Sequence, residues 1–130
     1  MKKSILTVLV LGIAVIAYAG DKKPWNAPDK DAKTANPVKS NAESIAAGKA
    51  LWTKHCESCH GKAGLGDGKK AATLDTEPGD FSKAAFQGQS DGSMFYKISE
   101  GRDDMPSFKK KITEANDIWS IITFVKTLKK

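Results

Sequence analysis

Cysteine and histidine are scarce in this chain. Its 130 residues hold two of each, Cys56, Cys59, His55 and His60, within six consecutive positions. That scarcity excludes a disulfide-stapled scaffold, because a bridge between Cys56 and Cys59 would close a tiny ring and constrain almost nothing. It also excludes a closed structural zinc site, which draws four ligands from two well-separated pairs. A thioredoxin-like redox pair would want a strand before it and a βαβ pattern around it, and neither is visible. A catalytic triad and a phosphate loop are missing too. No strand pattern of useful length alternates anywhere, which leaves an all-α chain.

What is present is Cys56-Glu57-Ser58-Cys59-His60. The pattern C-x-x-C-H is the signature of c-type haem attachment. Two cysteines three apart sit one helical turn from each other, about 5–6 Å between Cβ atoms. At that separation both sulfurs can add to the two vinyl groups on one side of a haem. The next residue then carries an imidazole to the iron, which makes His60 the expected proximal axial ligand. The motif occurs once, so one covalent haem c with its iron is expected.

The N-terminus points to export. Lys2-Lys3 is a short positive region, Ile5 to Ala17 is an almost unbroken apolar run, and Ala17-Tyr18-Ala19 has the small-x-small pattern of a signal-peptidase site. A leader over 1–19 is expected, cleaved between Ala19 and Gly20 into an exported, periplasmic protein. The run is shorter than the roughly 18–20 apolar residues that a membrane span needs. An uncleaved anchor is the competing reading, and no cysteine follows the run to carry a lipid. Without Lys2 and Lys3, 19 basic residues face 15 acidic ones. The surplus is lysine-rich, with no aromatic interleaving and no basic helix, so nucleic acid is a poor partner and an acidic protein a better one.

Residues 20–40 are mostly Lys, Asp, Ala, Asn and Pro, and read as an extended linker or a strap over the surface. Trp25, a lone aromatic there, would tack the segment to the domain that follows at 41–130. Ser40 and Glu43 have the spacing of a capping box, with Ser40 as N-cap, opening a helix to about His55. From Gly61 to about Ser82 glycines punctuate a long irregular connection, of a kind that usually wraps something. A middle helix is expected over Asp91–Ser99, closed by Gly101. A last helix, with Thr113 as N-cap, carries Ile118, Ile121, Phe124, Val125 and Leu128 on one stripe.

From about Ser44 to Leu128 the chain resembles the class I c-type cytochromes. Gly48 and Trp52 stand where that family has a glycine and an aromatic in its first helix, and Ile121 and Phe124 where its last helix packs on that glycine. Gly64-Leu65-Gly66-Asp67-Gly68 and Gly101…Met105-Pro106-Ser107-Phe108 are similar to a bacterial subgroup. The resemblance implies a cytochrome c fold of about three to five helices around the haem. It implies Met105 as the distal iron ligand, with Met94 as the rival inside the middle helix. It further implies a backbone carbonyl, at Pro78, accepting from the proximal histidine. Arg102 is a candidate to reach a haem propionate, a solvated arginine being the competing reading. Lys54, Lys62, Lys69 and Lys70 fall near the edge that such haems expose, and form either a basic docking rim or a scatter of solubilising charge.

A haem with both axial positions filled by protein leaves none for substrate. The expected function is therefore electron transfer rather than enzymatic catalysis, by a monomeric one-electron carrier between larger redox complexes. Two alternatives remain at this point. One is a ligand-binding, sensing or weakly peroxidatic haem protein, should Met105 not bind firmly. The other is a dedicated haem subunit of an oxidoreductase complex.

Overall fold

The computed structural model describes residues 23–130, so the expected leader at 1–19 and its cleavage site lie outside the described residues. The described chain forms six α-helices and no strand: α1 (Asp29–Ala32), α2 (Ala42–His55), α3 (Glu57–His60), α4 (Ala84–Gln87), α5 (Asp91–Glu100) and α6 (Ala115–Lys126). Three of them, α1, α3 and α4, are single turns of four residues. Turns that short fall below the window over which helical periodicity can be read, which explains the expected count of three to five. No helix among the described residues is long and apolar enough to cross a membrane.

The core is the crossing of α2 on α6. In α6 every residue from Ile118 to Val125 is buried. Its two hydroxyls in that run donate to the preceding turn, Ser120 Oγ to the Asn116 carbonyl at 2.9 Å and Thr123 Oγ1 to the Trp119 carbonyl at 3.0 Å. Backbone acceptors thus satisfy the polar atoms that an all-round buried helix would otherwise strand. Ile121 and Ile122 are fully buried, as is Trp52 opposite them in α2. The helices cross at Gly48, where any Cβ would strike the Ser120 carbonyl and lie 3.0 Å from Phe124 Cβ. Leu128, expected on the α6 stripe, lies beyond the helix end and is half-buried.

Two helix starts differ from expectation. The N-cap of α2 is Asn41, not Ser40: Asn41 Oδ1 accepts from Ser44 N at 2.9 Å, and Ser44 Oγ accepts from Asn41 N at 3.1 Å. Ser44 is buried and its hydroxyl also lies 2.8 Å from the Lys39 carbonyl, whereas Glu43 points to solvent. Burial of Ser44 therefore sets the register one residue later. Similarly, α6 starts after Glu114, which has no side-chain cap bond, rather than after Thr113. Ile112 is buried there and its N–H is still bonded to the Phe108 carbonyl, so the preceding loop runs one residue further. The middle helix ends as expected at Gly101, whose φ of +69° a side chain would strain.

Residues 23–40 lie on this body and include α1, which packs on α5. Ser90 Oγ donates to the Ala32 carbonyl at 2.7 Å, and Asn36 Nδ2 donates to the Trp119 carbonyl at 3.2 Å and to Thr123 Oγ1 at 3.3 Å.

Candidate functional site

The motif occupies the joint between α2 and α3. Cys56 ends α2 and opens α3, and Cys59 and His60 follow on the single turn of α3. One turn cannot hold itself, because its last carbonyls have no partners within the helix. The glycine-rich connection provides them: Gly66 N–H donates to the His60 carbonyl, Gly68 N–H to that of Cys59 and Lys70 N–H to that of Ser58, at 2.9, 3.2 and 2.8 Å. Both thiols are free and half-buried. Burial, reinforced by Cys59, pushes the Cys56 thiol up to about 12, so it is uncharged at neutral pH.

The His60 ring is wedged between aromatics, 4.6 Å from the Phe81 ring and 5.7 Å from that of Trp52. Trp52 is itself fixed, its Nε1 donating to the Gly61 carbonyl at 3.2 Å. Burial lowers the proton affinity of His60, while the Pro78 backbone partly restores it. Even so, His60 Nδ1 is buried and, among the described residues, outside hydrogen-bonding geometry with any acceptor. A buried orphan of this kind calls for an explanation, and a redox role is one.

Met105 stands on another wall, on a tight hairpin. Arg102 N–H donates to the Met105 carbonyl at 2.8 Å and Met105 N–H to that of Arg102 at 2.9 Å. Asp103, with φ +53°, turns the chain between them. The next residue ties the hairpin to a distant loop: Asp104 Oδ2 accepts from Thr76 Oγ1 at 2.6 Å and Thr76 N at 2.7 Å, which holds the Asp104 carboxyl below its ordinary range.

One cavity of about 550 Å³ collects these groups, with Cys56, Cys59, His60, Pro78, Arg102 and Met105 all on its wall. Met94 lines it as well, although Met94 is almost wholly buried in the core and Met105 only half-buried. Of the four lysines expected at a rim, Lys54 and Lys70 line the cavity and Lys62 and Lys69 do not. The volume lies within the roughly 300–1,000 Å³ of small-molecule and cofactor sites. Ile98, Phe108, Ile121 and Val125 make much of the lining apolar. Two thiols one turn apart, an adjacent imidazole and an apolar slot fit a covalently tethered haem. Trp25, Lys97 and Phe81 also line the cavity and were not foreseen there. Only Trp25 left a signal, as an aromatic in an otherwise polar segment.

Two thiols and an imidazole on one wall of an apolar cavity, in a helical domain, are what a c-type cytochrome presents to its haem. Residues 43–125 match the family described as cytochrome c oxidase, cbb3-type, subunit III, and the chain belongs to that family. Among solved structures it is similar to a chain of the reducing HAO-like protein complex of Kuenenia stuttgartiensis, 28% identical with a TM-score of 0.66 over 72% of this chain. That match spans 47% of the Kuenenia chain, about half its length. It is also similar to the KustC0563 c-type cytochrome, 29% identical over 64% of this chain and 98% of the other, TM-score 0.56. Cytochrome CL of the marine methylotroph Methylophaga aminisulfidivorans shares the fold at 22% identity, TM-score 0.53, over 68% of this chain and 55% of its own. A comparison with curated proteins finds no match. The cofactor is haem c, covalently bound with its iron, and the class is that of electron-transport cytochromes.

Proposed function

We propose that this chain is an exported one-electron carrier between larger redox proteins. In this reading Cys56 and Cys59 would tether the haem through thioethers, and His60 and Met105 would be the ligands of its iron. The observation that carries the reading is the convergence of all four residues on one cavity wall system. Haem c supplies the one-electron couple, and a thioether ligand raises its potential relative to harder ligands. The protein's part is to hold its ligands still. Trp52 and Phe81 fix the His60 ring, and the Pro78 carbonyl would accept from Nδ1–H, leaving Nε2 for the iron. With His60 and Met105 both engaged by the iron, substrate would find no open position, and the chain would act without catalysis of its own.

The remaining assignments belong to the same reading. Residues 1–19 would direct export and be cleaved, 20–40 precede the domain, and 41–130 are the cytochrome domain, working as a monomer. Lys54 and Lys70 at the cavity edge would favour an acidic partner. A second reading, a haem subunit of one oxidoreductase complex, is favoured by the likeness to a chain of the Kuenenia complex.

The test is spectroscopic. The ferric protein should show the near-infrared charge-transfer band of methionine ligation, and Met105→Ala should abolish it. If Met94→Ala abolishes the band and Met105→Ala keeps it, the ligand assignment falls. Native purification separates the two roles: a monomer that exchanges electrons with several acidic partners supports the carrier, and co-purification with one fixed partner supports the subunit.

A further inference from the structure

The matched family begins at residue 43, yet the haem cavity has a wall made by residue 25. The Trp25 ring lies under the Arg102 guanidinium, 4.8 Å from ring centroid to Cζ, and 5.7 Å from Lys97 Nζ. Arg102 Nη1 also donates to the Lys23 carbonyl at 3.1 Å, which fastens the segment just before the indole. Both cations line the cavity. Neither is well neutralised by protein. Among the described residues Lys97 makes no ion pair, its ammonium donating to the neutral Gln89 side chain. Among those residues too, Arg102 pairs only with its exposed neighbour Asp103, at 3.4 Å. Burial first, then Arg102, lowers the pKa of Lys97, the mark of a cation short of counter-charge. Half-buried charges are tolerated when an opposite charge joins them. The two propionates of a haem are such charges, and they enter with the cofactor this cavity takes.

We propose that residues 23–36 are a built-in cover of the haem site, in which Trp25, Lys97 and Arg102 form a carboxylate-binding corner that takes the haem propionates. The proposal rests on the cytochrome reading above but not on which methionine binds iron. The cover is anchored away from the cavity as well, by the Ala32–Ser90 and Asn36–Trp119 bonds. Trp25 acts as a positioning residue: it holds the two cations over the propionate edge and keeps water from it. Removing a cation there stabilises the more positive ferric state, and so does admitting water.

The full-length, haem-loaded protein is the object to test. Trp25→Ala and Lys97→Gln should each lower the reduction potential, while Lys49→Gln, exposed on α2 and absent from the cavity wall, should leave it unchanged. Trp25→Ala should also speed reduction of the ferric protein by ascorbate severalfold, with Trp25→Phe restoring most of the protection. Gly92→Ala reaches the same end by another route. A Cβ there would collide with the Asp31 carbonyl and meet Thr34 O at 2.8 Å, lifting the cover without touching the cavity. It should reproduce the Trp25→Ala behaviour. Potentials and ascorbate rates of Trp25→Ala and Lys97→Gln equal to those of Lys49→Gln would overturn the proposal. A wild-type protein with covalent haem but no near-infrared band would overturn the Met105 assignment instead, and the variant comparison would still decide the cover.

Discussion

Two walls of the haem cavity are built differently. The Cys56–His60 wall is continuous in sequence, rooted in the α2–α6 crossing, wedged by buried aromatics and capped by three loop amides. The Met105 wall is a surface hairpin whose tie to the Thr76 loop is a single exposed carboxylate. Stability is not uniform within a fold, and segments with few buried contacts open first. The lesson is a division of labour. On the proposed assignment, the side carrying Cys56 and Cys59 would keep the cofactor, and the Met105 side could give way without losing it.

The largest effect should come from removing the tether. Cys56→Ala with Cys59→Ala should leave no covalent haem after acid-acetone extraction and a largely unfolded chain, since a domain this small leans on its cofactor for core. Extraction of haem from the wild-type protein would break the comparison at its firm side. Met105→Ala should come next. It should keep the haem, lower the potential and let carbon monoxide or cyanide bind readily, whereas Met94→Ala should cost mainly packing, about 2–5 kcal/mol. Gly48→Ala should destabilise the whole domain by roughly 1–3 kcal/mol through overpacking at the crossing. A thermal melt would read that, with the ligand band intact up to the transition. Loss of the band well before unfolding would show that the two walls are coupled more tightly than their contacts suggest.

A smaller effect should follow from Asp104→Ala, or from Thr76→Val. Either should speed replacement of the methionine by imidazole severalfold while the melting temperature barely moves, as stopped-flow mixing and a melt would show. The smallest should come from the cavity edge. Charge reversal at Lys54 and Lys70 should slow electron transfer to an acidic partner at low salt, and added salt should mimic it, exposed charges being screened beyond about 8 Å at physiological ionic strength. A rate flat across ionic strength would remove the basic rim and leave the walls as described.

The firm wall was the more legible of the two in the sequence. Its chemistry is local: C-x-x-C-H needs no distant residue to be read, and the α6 stripe shows because helical periodicity repeats over twelve residues. Helix starts were harder. Ser40 with Glu43 and Asn41 with Ser44 offer the same spacing, and only the burial of Ser44 chooses between them. The Thr76–Asp104 tie spans 28 positions and the Arg102–Lys23 contact 79, so neither leaves a local pattern. Met105 and Met94 both reach the cavity, which shows why motif context and not proximity has to separate them.

The α2–α6 crossing has a further consequence, for how such domains diversify. It joins residue 48 to residue 120, and everything between, including both cavity walls, is one large loop closed by that clasp. The entropy of closing a flexible loop rises only with the logarithm of its length, about 0.6 kcal/mol per doubling. Insertions in the 61–82 connection therefore cost loop closure little, and their price is set by whether they displace the amides of Gly66, Gly68 and Lys70 that hold α3, or Thr76 and Phe81 beside the cavity. The clasp lets redox properties and partner surfaces drift apart between descendants that share the same two crossed helices.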